Sequence, residues 1–431
     1  MKSLVGRFFG NGIVQNTIAL YAVQFSRKVI PLITFPYLAI TLGPDGWGVV
    51  AFVQSLGDFV VLLVGFGFSL SATREVARRR DSPTECSEIM AGVLGAQFAL
   101  SLIGITGALL IAYSVPLLRQ NPKLLLAGLF YALAQSFNPL WFLAGLEKMR
   151  LSATLEISGK VLALCGIFLL VHSPADNWKV LALQGVPACL SSVIGLWFVY
   201  RMIPLRFPSL ILVREALQRG WSMFLLRSGQ SLYEIGNTFV LGLFAPVSLV
   251  GYFAGAEKIS KAIFGLLNPI GGVLYPRLSN LIYQSRDKAI RLARIGAILM
   301  IGGGLLLGLL VYVFAPLLIE SLLGPGFEPA VTVLRVLSLG LPLAGLRSSV
   351  AYQWLLPLGR EAIVNRIIMF AGLLNISLAL VLAPKFAHVG MAWTVVCTEL
   401  FICASLVWVV TGSTPLWNGS VRPTKISQLP N

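Results

Sequence analysis

Apolar windows of about 20 residues or more recur along the whole chain, divided by clusters of charge and turn residues. Twelve can be drawn, with approximate limits 12–40, 48–70, 88–113, 124–146, 151–172, 178–200, 221–244, 250–275, 292–318, 331–356, 362–383 and 389–411. A helix of about 20 residues, rising about 1.5 Å per residue, crosses the hydrocarbon core of a bilayer. The chain is 57% hydrophobic and 12% charged, whereas soluble domains carry about a quarter charged residues. The fold class expected is an all-α polytopic membrane protein of about twelve transmembrane helices.

Loop charge sets the expected orientation. One alternate set of loops holds Lys2 and Arg7, Arg74 and Arg78 to Arg80, Lys148 and Arg150, and Arg201, Arg206, Arg214 and Arg219. It continues with Arg277, Arg286, Lys288 and Arg291, then Arg360, Arg422 and Lys425, while the other set has little beyond Arg119, Lys123 and Lys385. The bias places both termini in the cytoplasm. It also accounts for the formal charge of +16 without a nucleic-acid partner. No segment between the windows is long enough to be a separate domain. The expected division is a first group of six helices over 1–200, a cytoplasmic linker over 201–220, a second six over 221–411 and a cytoplasmic tail over 412–431.

The remaining small signals point to no chemistry. Cys165, Cys189, Cys397 and Cys403 fall inside apolar segments and Cys86 in a basic loop, which reads as buried thiols with no disulfide framework and no zinc pattern. The N-terminus has no small-residue cleavage site and reads as a retained first helix. The sequon at Asn418 falls in the expected cytoplasmic tail and reads as chance. His172 and His388 fall near outer helix ends and read as interfacial residues.

The second half echoes the first. Setting Gly48 against Gly251 aligns the turns GPDGWG and APVSLVG and brings Asp58 onto Lys261 and Arg74 onto Arg277. Trp141 in NPLWFLAGLEKM resembles Trp354 in YQWLLPLGRE, each at the cytoplasmic end of the fourth helix of its half. Halves with even helix numbers share one orientation and are related by an axis along the membrane normal, and transporters commonly place substrate at that interface.

Against this apolar background the charges inside the windows stand out. In the stretch Gly251–Arg277, Lys261 lies roughly 15 Å from the helix start, near mid-membrane. Seven cations lie away from the interfaces, namely Arg27, Lys28, Lys160, Arg227, Lys258, Lys261 and Arg347, with five acids, Asp58, Glu156, Glu234, Glu257 and Glu399. Exposing all seven cations to lipid costs on the order of 20 kcal/mol, more than a typical protein's stability. A shared polar interior follows. Glu257–Lys261 and Glu156–Lys160 are spaced for pairing along one helix, and Arg227 and Arg347 lie near enough to helix ends to snorkel. Arg27 has no acid within a turn and is the strongest cavity candidate, and in helix 8 Lys258 is left as the freer cation. Glu234, and less so Asp58, Glu257 and Glu399, are candidates for ion coupling or pairing. Pro31 and Pro36, and Asn268–Pro269 with Gly271–Gly272, are expected to break helices 1 and 8.

The stretches LGPDGWGVVAFVQS, GFGFSLSATREVARRR, PLWFLAGLEKM and VGYFAGAEKI with LYPRLS resemble the polysaccharide transporter family, the O-antigen-type flippases grouped with MATE multidrug exporters and the lipid II flippase. The resemblance covers the chain to about Thr411. It implies two six-helix bundles in a V shape, and flipping of an undecaprenyl-pyrophosphate-linked oligosaccharide across the bacterial inner membrane. It further implies a basic central cavity, to which Arg27, Lys28, Lys258 and Lys261 correspond by helix and character. No cofactor is expected, a proton or sodium ion is the candidate coupling ion, and a polysaccharide polymerase and a chain-length regulator are candidate partners. The competing readings are a multidrug exporter of the same architecture, for which cationic drugs favour an acidic cavity, and a lipid II flippase. A membrane enzyme is disfavoured by short outer loops without a His or carboxylate cluster, and a scaffold of glycan assembly would not require buried cations.

Overall fold

A computed structural model describes residues 11–412. Lys2, Arg7, Arg422 and Lys425, and the side chains of Lys28 and Arg286, lie outside the described residues. All regular structure among the described residues is helical. The first eight helices are α1 (Asn11–Gly65), α2 (Phe68–Arg78), α3 (Pro83–Ser114), α4 (Pro116–Gln120), α5 (Pro122–Ser136), α6 (Leu140–Gly145), α7 (Met149–Leu170) and α8 (Asn177–Tyr200). They are followed by α9 (Leu210–Phe244), α10 (Val247–Phe264), α11 (Asn268–Gln284), α12 (Arg286–Leu323), α13 (Ala330–Ser338), α14 (Gly340–Val350) and α15 (Glu361–Gly412). The expected linker 201–220 is thus helical from Leu210, where the Ser209 hydroxyl caps α9 by accepting from the Leu212 amide.

Eight helical stretches among the described residues are long and apolar enough to cross a membrane. Two of them, of 57 and 52 residues, far exceed the roughly 20 residues of one crossing. Both are bent, α1 at Gly43 (φ 65°) and α15 at Ala387 (φ 48°). The expected spans 221–244 and 250–275 are helical but are not among the eight. Their sequences carry Arg227, Glu234, Glu257, Lys258 and Lys261, and that polarity marks them as inward-facing. On α3, α12 and α15 large apolar side chains point outward, including Phe98, Leu309, Phe314 and Trp408, as expected of surface in contact with lipid.

Pro31 and Pro36 do not end α1; the non-helical residue is Gly43, just before Pro44. A lone proline deletes one backbone bond, whereas a left-handed glycine redirects the chain. In the later segment the break falls three residues ahead of the expected dipeptide, as a 3₁₀ turn over Gly265–Leu267 that leads into Asn268. Pro269 then occupies the start of α11, where its missing N–H has no intrahelical partner to lose.

The helices up to α8 pack on one another, with α5 and α7 each against α1 and α8, while α12 packs on α11, α13 and α14, and α15 on α9 and α14. The two sets meet where α1 touches α10 and α9, and where α3 touches α9. The α1–α10 crossing is made by the two glycines that the internal repeat aligns. A side-chain carbon on Gly48 would run into the Val247 carbonyl oxygen, and one on Gly251 into the Pro44 carbonyl oxygen. Adding the repeat offset turns each contact into the other, so the crossing is reciprocal, as at an interface on a two-fold axis. Lipid offers no hydrophobic drive for helix association, so close backbone approach of small residues carries the contact.

Gly48→Ala and Gly251→Ala are each expected to destabilise the protein by about 1–3 kcal/mol through overpacking. Gly302→Ala, where nothing lies within 4 Å of the added carbon, is the matched control. Thermal unfolding in detergent checks this; equal melting temperatures for all three variants would refute the close crossing.

Candidate functional site: two cavities divided by charge

The in-membrane charges gather around two cavities rather than one. The first, about 810 Å³, is bounded by α1 to α3, α5 to α8 and one face each of α9 and α10. Among the described residues its charged lining is Arg27, Lys160, Arg227 and Lys258 against Glu156, a surplus of three positive charges. The second, about 880 Å³, is bounded by α9 to α15 and lined by Lys261 and Arg347 against Glu234, Glu257 and Glu399. Among the described lining residues the carboxylates outnumber the cations by one. Helices α9 and α10 form the wall between them. Each turns a cation toward the first cavity, Arg227 or Lys258, and a carboxylate toward the second, Glu234 or Glu257.

In the first cavity the Arg27 guanidinium donates to both oxygens of Glu156, from Nε at 2.5 Å and Nη2 at 2.8 Å. This two-point fork is the strong form of the pair. Lys160 Nζ reaches the same carboxylate at 3.2 Å, so one acid serves two cations. Arg27 remains 53% exposed, which leaves its other edge open to the cavity. Arg227 Nη1 donates to Ser69 Oγ at 2.8 Å. Lys258 Nζ lies 4.3 Å from the Trp47 ring centroid and 5.5 Å from that of Phe35. Ring faces attract a desolvated ammonium without neutralising it. Amide side chains of Gln24, Gln54, Gln97, Gln135, Asn138 and Gln184 fill out the lining.

In the second cavity Lys261 Nζ pairs with Glu257 at 3.0 Å and donates to the Glu234 backbone carbonyl at 3.1 Å. Arg347 Nε binds Glu399 at 2.9 Å, with both side chains largely buried. Asn237 donates from Nδ2 to the Tyr233 carbonyl at 2.9 Å. Its Oδ1 is buried and has no partner. Asp58 lines neither cavity; it accepts a long 3.4 Å bond from the Tyr131 hydroxyl and lies within the fields of Lys258 and Lys261.

Sequence spacing anticipated the Glu257–Lys261 and Glu156–Lys160 pairs, and both form. Arg27, which has no acid within a turn, finds Glu156 on another helix, 129 residues away. Arg347 and Glu399 are likewise joined across helices, 52 residues apart. The aromatic seat of Lys258, the Ser69 partner of Arg227, the amide lining and Asn237 were not singled out in advance. Amides inside apolar windows were the available signal, since polar groups at membrane depth are costly and face the interior.

Comparison with known proteins bears on this arrangement. The family model described as "Polysaccharide biosynthesis protein" matches residues 13–282. A protein of Escherichia coli strain K12 named "Putative O-antigen transporter" is 29% identical over 401 residues, spanning 92% of this chain and 96% of its own. One of the same name from Shigella dysenteriae is 28% identical over 400 residues, spanning 90% and 97%. Among solved structures, the lipid II flippase MurJ in an inward closed conformation aligns with a TM-score of 0.71 at 15% identity, over 92% of this chain and 87% of that one. An inward-facing multidrug resistance MATE family transporter of the MOP superfamily aligns with a TM-score of 0.66 at 15% identity, over 93% and 99%. At that identity the two structures establish a shared fold.

The Arg347–Glu399 pair supplies a stability test. Arg347→Ala strands a buried carboxylate and is expected to cost about 3–5 kcal/mol, whereas the double replacement Arg347→Met with Glu399→Leu recovers most of it. Fluorescence-detected thermal unfolding reads both; a double variant no more stable than the single one would refute the pairing argument.

Proposed function

The chain belongs to the polysaccharide biosynthesis protein family, and from that premise we propose that it is a flippase for an oligosaccharide carried on undecaprenyl pyrophosphate. The observation that carries this reading is the cation surplus of the first cavity. A pyrophosphate cannot cross a low-dielectric interior bare, because an unpaired buried charge costs many kcal/mol. Arg27, Lys160, Arg227 and Lys258 replace its water with charge-assisted hydrogen bonds and ring-held ammonium. Lys28 belongs to the same proposal by its place beside Arg27. Glu156 keeps two of the cations together when the cavity is empty, and the amides offer partners to the first sugar. Lys261 and Arg347 serve Glu257 and Glu399 in the second cavity and contribute to the field there.

Alternating access between two six-helix groups, residues 1–200 and 221–411, carries the headgroup across while the lipid tail stays in the bilayer. The reciprocal Gly48–Gly251 crossing suits a pivot between them. The relatives named as O-antigen transporters support a surface glycan as cargo in the bacterial inner membrane, and the loop charges support cytoplasmic termini. A polysaccharide polymerase and a chain-length regulator are the natural partners of such a step. Export of cationic drugs, the reading drawn from the shared MATE fold, is disfavoured by the same cation surplus. No cofactor enters this reading. A proton or sodium ion is the proposed coupling ion, with Glu234, which borders the second cavity, as the coupling group.

Arg27→Ala and Arg227→Ala, at native expression, are expected to reduce surface glycan at least tenfold while the protein stays in the membrane. Full display by both variants would remove the first cavity from the pathway. In vesicles with an imposed pH gradient, Glu234→Gln is expected to abolish the gradient dependence of transport; an unchanged dependence would exclude that residue.

A further inference from the structure

We infer that the second cavity is a binding site for uncharged, hydroxyl-rich sugar, the distal part of the same lipid-linked glycan whose pyrophosphate occupies the first. This rests on the flippase reading and adds a second site to it. Size comes first. At about 880 Å³ the cavity is as large as its neighbour, within the range of sites for small molecules and far larger than an ion requires.

The lining selects the chemistry. Three carboxylates and two cations share the walls, and Glu257 and Glu399 are each held by a cation at about hydrogen-bond distance. An anion would meet three carboxylates, and a cation would meet Lys261 and Arg347. A neutral polyol meets neither penalty, because each hydroxyl both donates and accepts. Carboxylates paired in this way keep lone pairs for a ligand's hydroxyls, while Asn268, Ser260 and Ser348 offer groups of both kinds. Tyr275 and Tyr352 each expose 39% of their surface and border the same space. Their ring faces suit the C–H face of a pyranose.

The independent observation is Asn237. Only 1% exposed, it borders the cavity, and its Oδ1 has no partner. Its Nδ2 is committed to the Tyr233 carbonyl, so the open position is an acceptor. A buried amide oxygen left unsatisfied is costly, and a ligand hydroxyl removes that cost. The position of the wall joins this site to the first. Lys258 and Lys261 lie within one turn on α10, about 5 Å apart along the axis, yet border different cavities. A pyrophosphate held at Lys258 therefore stands beside the sugar site.

The full-length protein in lipid nanodiscs tests this with two probes, inorganic pyrophosphate and the phosphate-free oligosaccharide released by mild acid from the host's lipid-linked glycan. Binding of each is measured for wild type, Asn237→Leu, Tyr352→Ala and Arg27→Ala, with thermal unfolding as the folding control. Tyr352→Ala alters a partly exposed ring and serves if Asn237→Leu does not fold. The expected result is a loss of oligosaccharide affinity of at least tenfold in the Asn237 and Tyr352 variants, with pyrophosphate affinity within twofold of wild type. Arg27→Ala is expected to show the converse. Oligosaccharide affinity unchanged in the folded second-cavity variants, or no oligosaccharide binding by wild type, overturns the sugar site and leaves the flippase reading standing. Oligosaccharide binding that depends on Asn237 or Tyr352 in a protein that does not bind pyrophosphate supports the sugar site and instead removes the anion site of the flippase reading.

Discussion

The backbone contact between Gly48 and Gly251 is the constraint on which the arrangement depends. Neither glycine could carry a side-chain carbon without striking a carbonyl of the opposite helix. In a membrane this is how two helices come to lie closer than their side chains would allow, since apolar burial gains nothing against lipid. The crossing sets α10 against α1. Lys258 thereby comes over the Trp47 ring, and the adjoining flank of α10 is left to carry Glu257 and Lys261 into the second cavity.

Charge is sorted across the wall that this crossing holds in place. A single mixed cavity would let each cation find a carboxylate, and the field at its centre would largely cancel. With Arg227 and Lys258 on one side, and Glu234, Glu257 and Lys261 on the other, the first cavity keeps a positive surplus while the carboxylates of the wall face away from it. Low dielectric makes such a surplus effective at range. It also makes each unpaired ion costly, which is why Arg27 and Lys160 share Glu156, and why Lys258 rests on aromatic rings.

The internal repeat was legible as an offset between two glycines, and the structure gives that offset a physical meaning, because the aligned residues touch. Helix breaks were legible only by neighbourhood. A proline marks where a bend is tolerated, but the left-handed conformation that turns α1 fell to Gly43, where no side chain resists it. Within the site, the pairs four residues apart were readable because one helical turn brings them together. Arg227 and Glu234 share nearly one face of α9, yet they border different cavities. Seven residues set them about 10 Å apart along the axis, and the helices packed alongside decide what each one meets.

The sequence by itself determined that this is a helical membrane protein, that its buried charges face an interior, that two of its ion pairs form within single helices, and that its halves echo one another. The first three follow from local periodicity or from the cost of charge in lipid and the last from a shared offset, and none needs a partner helix to be known. Tertiary structure alone decided that the described in-membrane cations border two cavities, that Arg27 meets Glu156 and Arg347 meets Glu399, and that Lys258 and Lys261 border different spaces. Those outcomes depend on the rotation and depth at which separate helices pack. Residues more than fifty positions apart carry no spacing rule from which that geometry can be read.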